Sequence, residues 1–221
     1  MNKQIRVSVS GMEPGLLLHN PRSANPLDPA AQKLEAVQKQ YKKNKTVENL
    51  RELLLVQWNC GLYWQPAKGC HIPRGMIQAN MIGASKSVKQ KGKMSSMAKV
   101  ISHSISPRGD AVLEIPAAHK TEKDIKKLSE NSDYAFVKPA KIGNSLVPVS
   151  RPLFKKWRAT LMFDVWDETA VSMEDFKEIA EIMGQRGFGD WRPSGPTPGE
   201  FGMFSIDKVE KSNDGRAWQK V

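Results

Sequence analysis

The side chains with chemistry to offer are few. They are His19, His71, His103 and His119, the cysteines Cys60 and Cys70, and a glycine-rich run that begins near Gly184. A zinc site needs four ligands, usually in close pairs. Cys60 and Cys70 stand ten apart, only His71 adjoins them, and no CxxC exists, so neither a metal nor a cofactor is expected. His19 lies just after the first expected strand, where a general base for RNA cleavage could sit. A lone loop histidine equally serves as a cap or is solvated. The chain has no serine-triad motif and no HExxH. Glu48 and Glu52 fall one turn apart on an ordinary exposed helix face.

The glycine run, Gly184-Gln-Arg-Gly187-Phe-Gly189-Asp-Trp191-Arg192-Pro193, invites a dinucleotide reading. Its position argues against one. A dinucleotide fingerprint follows a strand and opens a helix, whereas these glycines close a helix, where the dipole repels phosphate. No Walker A motif is present either. What remains is a tight turn that admits a close neighbour, flanked by Arg186 and Arg192, or a plain helix cap.

Charge is the stronger signal. No acidic residue occurs between Glu52 and Asp110, a stretch that holds Lys68, Arg74, Lys86, Lys89, Lys91, Lys93, Lys99 and Arg108. None occurs between Asp133 and Asp164, which hold between them Lys138, Lys141, Arg151, Lys155, Lys156 and Arg158. Aromatics accompany both blocks: Trp58, Tyr63 and Trp64 with the first, Tyr134, Phe136, Phe154 and Trp157 with the second. Basic grooves with aromatic faces hold single-stranded nucleic acid, the bases stacking on the rings. Two blocks of this kind are expected to line one surface, although rings in this number also build a core.

The elements that must position these residues can be read from periodicity. Ile5, Val7 and Val9 alternate with polar residues as a half-buried strand ending at Gly11. Asp28-Pro29 starts a helix with Leu34, Val37 and Tyr41 on one face. Thr46 starts a second, with Val47, Leu50, Leu54 and Trp58 as its buried side. Gly61 to Gly75 reads as an irregular hairpin, and Pro73 opens a helix carrying Ile77, Met81, Ala84 and Val88. Ser85 to Ser96 is expected to be a mobile lysine-rich loop, and Met97 to Ile105 and Ala111 to Ile115 to be strands. Thr121-x-x-Asp124 has the pattern of a capping box before a short helix. Trp157 to Val165 is a long strand with one apolar face. Ser172-x-x-Asp175 caps a helix with Phe176, Ile179, Ala180 and Met183, stopped at Gly184, and a last strand covers Phe201 to Ile206. This β–α–β end, with the first strand, predicts an α+β fold: a ferredoxin-like (RRM-like) antiparallel sheet with helices on one face and inserted loops.

The 221 residues carry 34 Lys and Arg against 23 Asp and Glu, a net charge of +11. Hydrophobic residues make up 39%, which is globular composition. The length fits one RRM-like domain over residues 1–221, with residues 61–110 as an inserted basic subregion and 85–96 as its mobile loop. No apolar run reaches the roughly 18–20 residues of a membrane span, and no signal-like stretch begins the sequence. Two cysteines suggest no disulfide framework, so the expected compartment is a reducing cytoplasm.

Three pieces together resemble the RAMP superfamily, which includes CRISPR backbone and guide-RNA-processing subunits, and are similar to small relatives encoded by bacteriophages. The pieces are the first strand running into Gly11 to Asn20, the Ile72-Pro73-Arg74-Gly75 start of a small-residue helix, and the final unit. The final unit comprises strand Trp157 to Val165, helix Met173 to Met183, the loop Gly187-Phe188-Gly189-Asp190-Trp191-Arg192-Pro193, and Phe201-Gly202-Met203-Phe204. The resemblance implies an RRM-like fold that binds single-stranded RNA or DNA, as a homo-oligomer or filament along the strand. It also implies that processing members cleave RNA without metal, with His19 roughly where such a base would lie. The aromatic motif of RRM sheets is missing.

The sequence therefore predicts a non-enzymatic, single-stranded nucleic-acid-binding protein. Arg74, Lys86, Lys89, Lys91, Lys93 and Lys99 would meet phosphates, with Arg151, Lys155 and Arg158 extending the track. Trp64 or Trp157 would stack on bases, and Arg186 and Arg192 would frame the glycine loop. The alternatives are a metal-independent endoribonuclease using His19, and a protein-binding assembly or decoy module that mimics a CRISPR backbone subunit.

Overall fold

A computed structural model describes residues 3–142 and 145–221, with the side chains of 140–142, 145 and 146 outside the description. Strand β1 (Lys3–Gly11) and the short β2 (Leu16–Leu17) precede helices α1 (Pro29–Lys43) and α2 (Val47–Gly61). Strands β3 (Trp64–Gln65) and β4 (Gly69–Ile72) lead to α3 (Arg74–Ser85) and α4 (Ala98–Ser104). Then come β5 (Ile105–Pro107), β6 (Ala111–Glu114), α5 (Glu122–Ser129), β7 (Ala135–Ile142) and β8 (Ser145–Phe154). The chain closes with β9 (Arg158–Val165), α6 (Met173–Arg186), β10 (Phe204–Ser212) and β11 (Gln219–Lys220). Among the described residues no helix is long and apolar enough to cross a membrane.

Contacts divide the chain into two compact units. One comprises Met1–Leu16, His71–Pro116 and Lys156–Val221; the other comprises Leu17–Cys70 and Ala117–Lys155. The unit boundaries do not coincide with those of the expected insert at 61–110. Two separate insertions, neither with that boundary, build the second unit.

In the first unit β1 pairs antiparallel with β9 on one side and with β10 on the other. Strand β9 pairs in turn with β6 and with β5. Ile105 lies opposite Val165 and Leu113 opposite Ala159, so β5 and β6 act as one interrupted strand. The resulting order β10-β1-β9-β6, with α3 and α6 as the crossover helices, is a ferredoxin-like α+β sheet, as the sequence predicts. Strand alternation decides which face is sealed. Ile5, Val7, Val9, Ala159, Leu161 and Phe163 are buried. Phe176 of α6 meets Phe163 edge-on at 5.4 Å, and Ile179, Ala180 and Met183 continue that buried face of α6.

Glycines set the closest approaches. Helix α6 runs past Gly184, the stop expected from sequence, to Arg186. Gly184 lies against the Phe204 carbonyl, where a Cβ would collide, and it is Gly187, at φ +70°, that ends the helix. Gly202 lies at φ +77° against the Phe188 carbonyl, and the Phe188 and Phe204 rings stack at 4.8 Å.

In the second unit α1 and α2 pack through Val37, Leu53 and Val56, with Leu34 and Tyr41 beside them. The caps follow the sequence: Asp28 accepts from the Ala30 N–H at 2.8 Å, and Thr46 accepts from Asn49 at 3.3 Å. Thr121 and Asp124 form the full capping box on α5. The buried face of α2 keeps Trp58 of the expected side but is turned from it otherwise, with Leu50 and Leu54 half-buried. Val47 is exposed, while Leu53, Val56, Trp58 and Cys60 point inward. Trp58 is fully enclosed and donates its Nε1–H to the Tyr134 carbonyl at 2.7 Å.

Two segments depart further from expectation. Met97 to Ile105, read as a strand, is largely helix α4, because Met97, Ile101 and Ile105 sit four apart and all are buried. The hairpin β7–β8 has no counterpart in the sequence reading, since three prolines interrupt it. They are tolerated because Pro139 faces Pro148 and Ala135 faces Pro152, four pairs apart. Two prolines can oppose each other only at a non-hydrogen-bonded pair, and every second pair is of that kind. The intervening Ser150 donates its N–H to Gln57 Oε1 on α2 at 2.9 Å.

These approaches set opposite signs for two alanine substitutions. Gly202→Ala forces a Cβ into a carbonyl at positive φ and should lower stability by at least about 1 kcal/mol. At Gly75, in the first turn of α3, nothing lies within 4 Å of the added Cβ, and Gly75→Ala should be neutral or stabilising by up to about 1 kcal/mol. Thermal unfolding followed by circular dichroism checks both.

Candidate nucleic-acid interface

The charge is unequally shared. The first unit holds eighteen basic and fifteen acidic residues, a net of +3. The second holds sixteen basic and eight acidic residues, a net of +8 in 93 residues. Both acid-free blocks cross a boundary between units. Lys68, Lys138, Lys141, Arg151 and Lys155 belong to the second unit, and the other block residues to the first.

The first-unit candidates divide into exposed and structurally engaged groups. Lys86, Lys89, Lys91 and Lys93 are exposed on a turn that is internally bonded rather than open. Lys89 bridges to Ser96, the Met97 N–H donates to the Val88 carbonyl at 2.8 Å, and Lys89 Nζ donates to the Met94 carbonyl at 3.0 Å. Lys91 lies near Glu174 at the start of α6. That carboxyl is held below the usual carboxylate range, chiefly by its own backbone N–H and the Ser172 hydroxyl, with Lys91 adding to them. Lys99 is exposed on α4. Arg74 is exposed but acts as a strut, its Nε donating to the Pro107 carbonyl at 2.7 Å, and its backbone N–H donates to Asp110. Arg158 lies in register with Glu114.

The glycine loop is held by its own arginines. Arg192 donates from Nη1 to the Gly189 carbonyl at 2.6 Å and from Nε to Ser194 Oγ. Arg186 lies across Gly83, and its carbonyl accepts from Ser194. Asn80 donates to the carbonyls of Met183 and Gly187. Of the two readings of this loop, the helix cap and turn accounts for these bonds. Trp157 is buried against Gly11 and edge-on to Phe204 at 6.0 Å, so it offers no face for a base. The exposed sheet face carries Arg6, Glu210 and Lys208 bonded to one another, with Trp218 over Arg6 at 4.4 Å.

In the second unit Lys155 is exposed and paired with Asp133 at 3.2 Å, and Arg151 is half-buried on β8, opposite Phe136. His19 is exposed, and the Tyr63 hydroxyl donates to its carbonyl at 3.4 Å. Trp64 is the candidate that the fold places best. It is half-buried, and its Nε1–H donates to the His119 carbonyl at 2.8 Å. The buried His119 accepts the Cys70 N–H at Nδ1, at 3.0 Å. Gly69, at φ +86°, leaves room for that imidazole, which any Cβ there would strike.

Trp64 lines a cavity of about 330 Å³ walled by α1, α2 and α5, together with Arg22, Lys33, Lys126 and Glu122. Sequence reasoning missed these three cations. Each sits within a few residues of a carboxylate in the chain, Asp28, Glu35, and Glu122 with Asp124, so a search for acid-free stretches passes over them. Only the packing of three helices brings them together.

Among the described residues no group of three or more His, Cys, Asp or Glu could hold a metal ion. No protein-family model matches the chain, and no curated protein matches it.

Both cysteines are reduced and buried. Burial pushes the Cys70 thiol up to about 12, and burial raises Cys60 as well, with Arg22 opposing it. Burial favours the neutral thiol, so at pH 8 neither is a ready nucleophile. Reaction with a disulfide reagent should be slow in the native protein, slower at Cys70 than at Cys60, and release two equivalents at once in denaturant.

Proposed function

We propose that the chain is a non-enzymatic, single-stranded nucleic-acid-binding protein in which the unit built from residues 17–70 and 117–155 does most of the gripping. The observation that carries this reading is the concentration of charge: a net +8 in under half of the chain, with a half-buried tryptophan among its cations. Phosphate contacts supply most of the affinity for an unspecific strand, and aromatic faces hold bases regardless of sequence. The exposed lysines at 86, 89, 91 and 93 add phosphate contacts from the first unit. Binding as a homo-oligomer or filament along RNA or DNA is what the RAMP resemblance implies, and it belongs to this proposal. No particular observation favours cleavage at His19.

The test is fluorescence anisotropy of the whole protein with labelled 20-nucleotide RNA and DNA over a salt series. Log affinity should fall with log salt by roughly 0.7 for each phosphate contacted. Lys123→Glu with Lys127→Glu, both exposed on α5, should weaken binding at least tenfold and flatten the slope. Lys91→Glu with Lys93→Glu should weaken it less. Absent or salt-independent binding overturns the proposal. Cleavage of RNA in EDTA that is lost with His19→Ala would replace it with the nuclease.

A further inference from the structure

The second-unit cavity has a composition that its net charge does not require. Its apolar lining comes from Ala30, Val56, Leu62 and Ile125. Its one aromatic wall, Trp64, is held by the Nε1 bond to His119. Arg22 at its edge is already committed: Nε and Nη2 bond both oxygens of Asp28 at 3.0 and 2.9 Å. Asp28 in turn caps α1, so this arginine is fixed and largely neutralised. Lys33 and Lys126 are different. Both are exposed, and neither has an ion pair among the described residues. Glu122 is the one carboxylate in the lining.

A pocket of about 330 Å³ falls in the size range of small-molecule sites, which are mostly apolar with a few polar groups that orient the ligand. A plain anion would use the lysines and leave the apolar wall and indole idle. A fatty acid would use the apolar wall but gain nothing from a held indole. A planar aromatic ring attached to a phosphate uses both. We infer that the cavity between α1, α2 and α5 seats one nucleotide, its base against Trp64 and its phosphate toward Lys33 and Lys126. This deepens the single-strand reading and rests on it only if the nucleotide belongs to a polymer. The same chemistry is offered by a free nucleoside monophosphate.

Calorimetric titration of the full chain with AMP, UMP, adenosine and inorganic phosphate separates the parts. AMP should bind at least tenfold more tightly than adenosine or phosphate. Lys33→Gln with Lys126→Gln should weaken AMP about tenfold and leave adenosine unchanged, while Trp64→Phe should weaken both. Bound AMP should also slow modification of Cys60, which lines the cavity, and not that of Cys70. A melting curve shows whether each variant folds, and for any that does not, thiol protection in the unmodified protein decides. Competition by a ten-nucleotide oligomer assigns the seat to a residue of a polymer. AMP binding without oligomer binding assigns it to the free nucleotide and removes the single-strand reading alone. Oligomer binding that AMP does not displace, with no AMP heat at millimolar concentration and no protection of Cys60, overturns the seat alone.

Discussion

Strand β1 is bonded along both edges, and its register determines what each sheet face can do. Val7 lies opposite Leu161 on β9 and Val209 on β10, and this row is buried under the helices. The next row places Arg6 opposite Glu210 and Ser8 opposite Lys208. A slip of one residue would exchange the two rows. With the register as it stands, Arg6 and Lys208 converge on one carboxylate of this face. Arg6 and Lys208 both bond Glu210, whose carboxyl is held below the usual range by Lys208 first and Arg6 after it. Two cations that share one carboxylate offer a polyanion less than two free ones would.

The electrostatic character of the molecule therefore comes from what is inserted into the sheet topology rather than from the sheet. In the first unit α6 alone brings Glu174, Asp175, Glu178 and Glu181, against Lys177 and Arg186. In the second, α1 brings four lysines against Glu35, and α5 three against Glu122 and Asp124. Exposed pairs such as Lys39 with Glu35 contribute little to stability, and screening by salt reduces them further. The surplus lysines do not hold the fold. They raise the potential around it, and a field of one sign is of use when the partner has the other.

What the sequence makes legible follows from the range of each signal. Capping is local, and Asp28, Thr46, Thr121 and Ser172 all cap the helices that their spacing predicts. Strand alternation is nearly as local, so β1, β9 and the ferredoxin-like sheet can be read in advance. Ambiguity begins where two periods fit: Met97, Ile101 and Ile105 satisfy a helix as well as a strand. The β7–β8 hairpin is hidden because tolerance of Pro139, Pro148 and Pro152 depends on which ladder positions they take, and that depends on the partner strand. The charge blocks are a signal of a related kind. Distance along the chain says which lysines lack acidic neighbours in sequence, whereas function depends on which lack them in space.

Trp64 shows how the two kinds of information combine. The aromatic beside a basic block is visible in the sequence, but not whether it is core, stacking platform or neither. The packing holds the ring through a short chain of dependencies. Gly69 has no Cβ, so the His119 ring can lie against the β4 backbone and accept the Cys70 N–H. That bond places the His119 main chain, whose carbonyl receives the indole N–H. An indole anchored by one edge has already lost the rotamer freedom that a ligand would otherwise have to remove, which is how preorganisation adds to affinity. The lysines around it remain free to move and to follow a phosphate. A fixed ring beside mobile charges suits a ligand whose base has a defined plane and whose backbone does not. Among the rings singled out from the sequence, Trp58 and Trp157 are sealed in their cores and Trp64 is the tryptophan left with this combination.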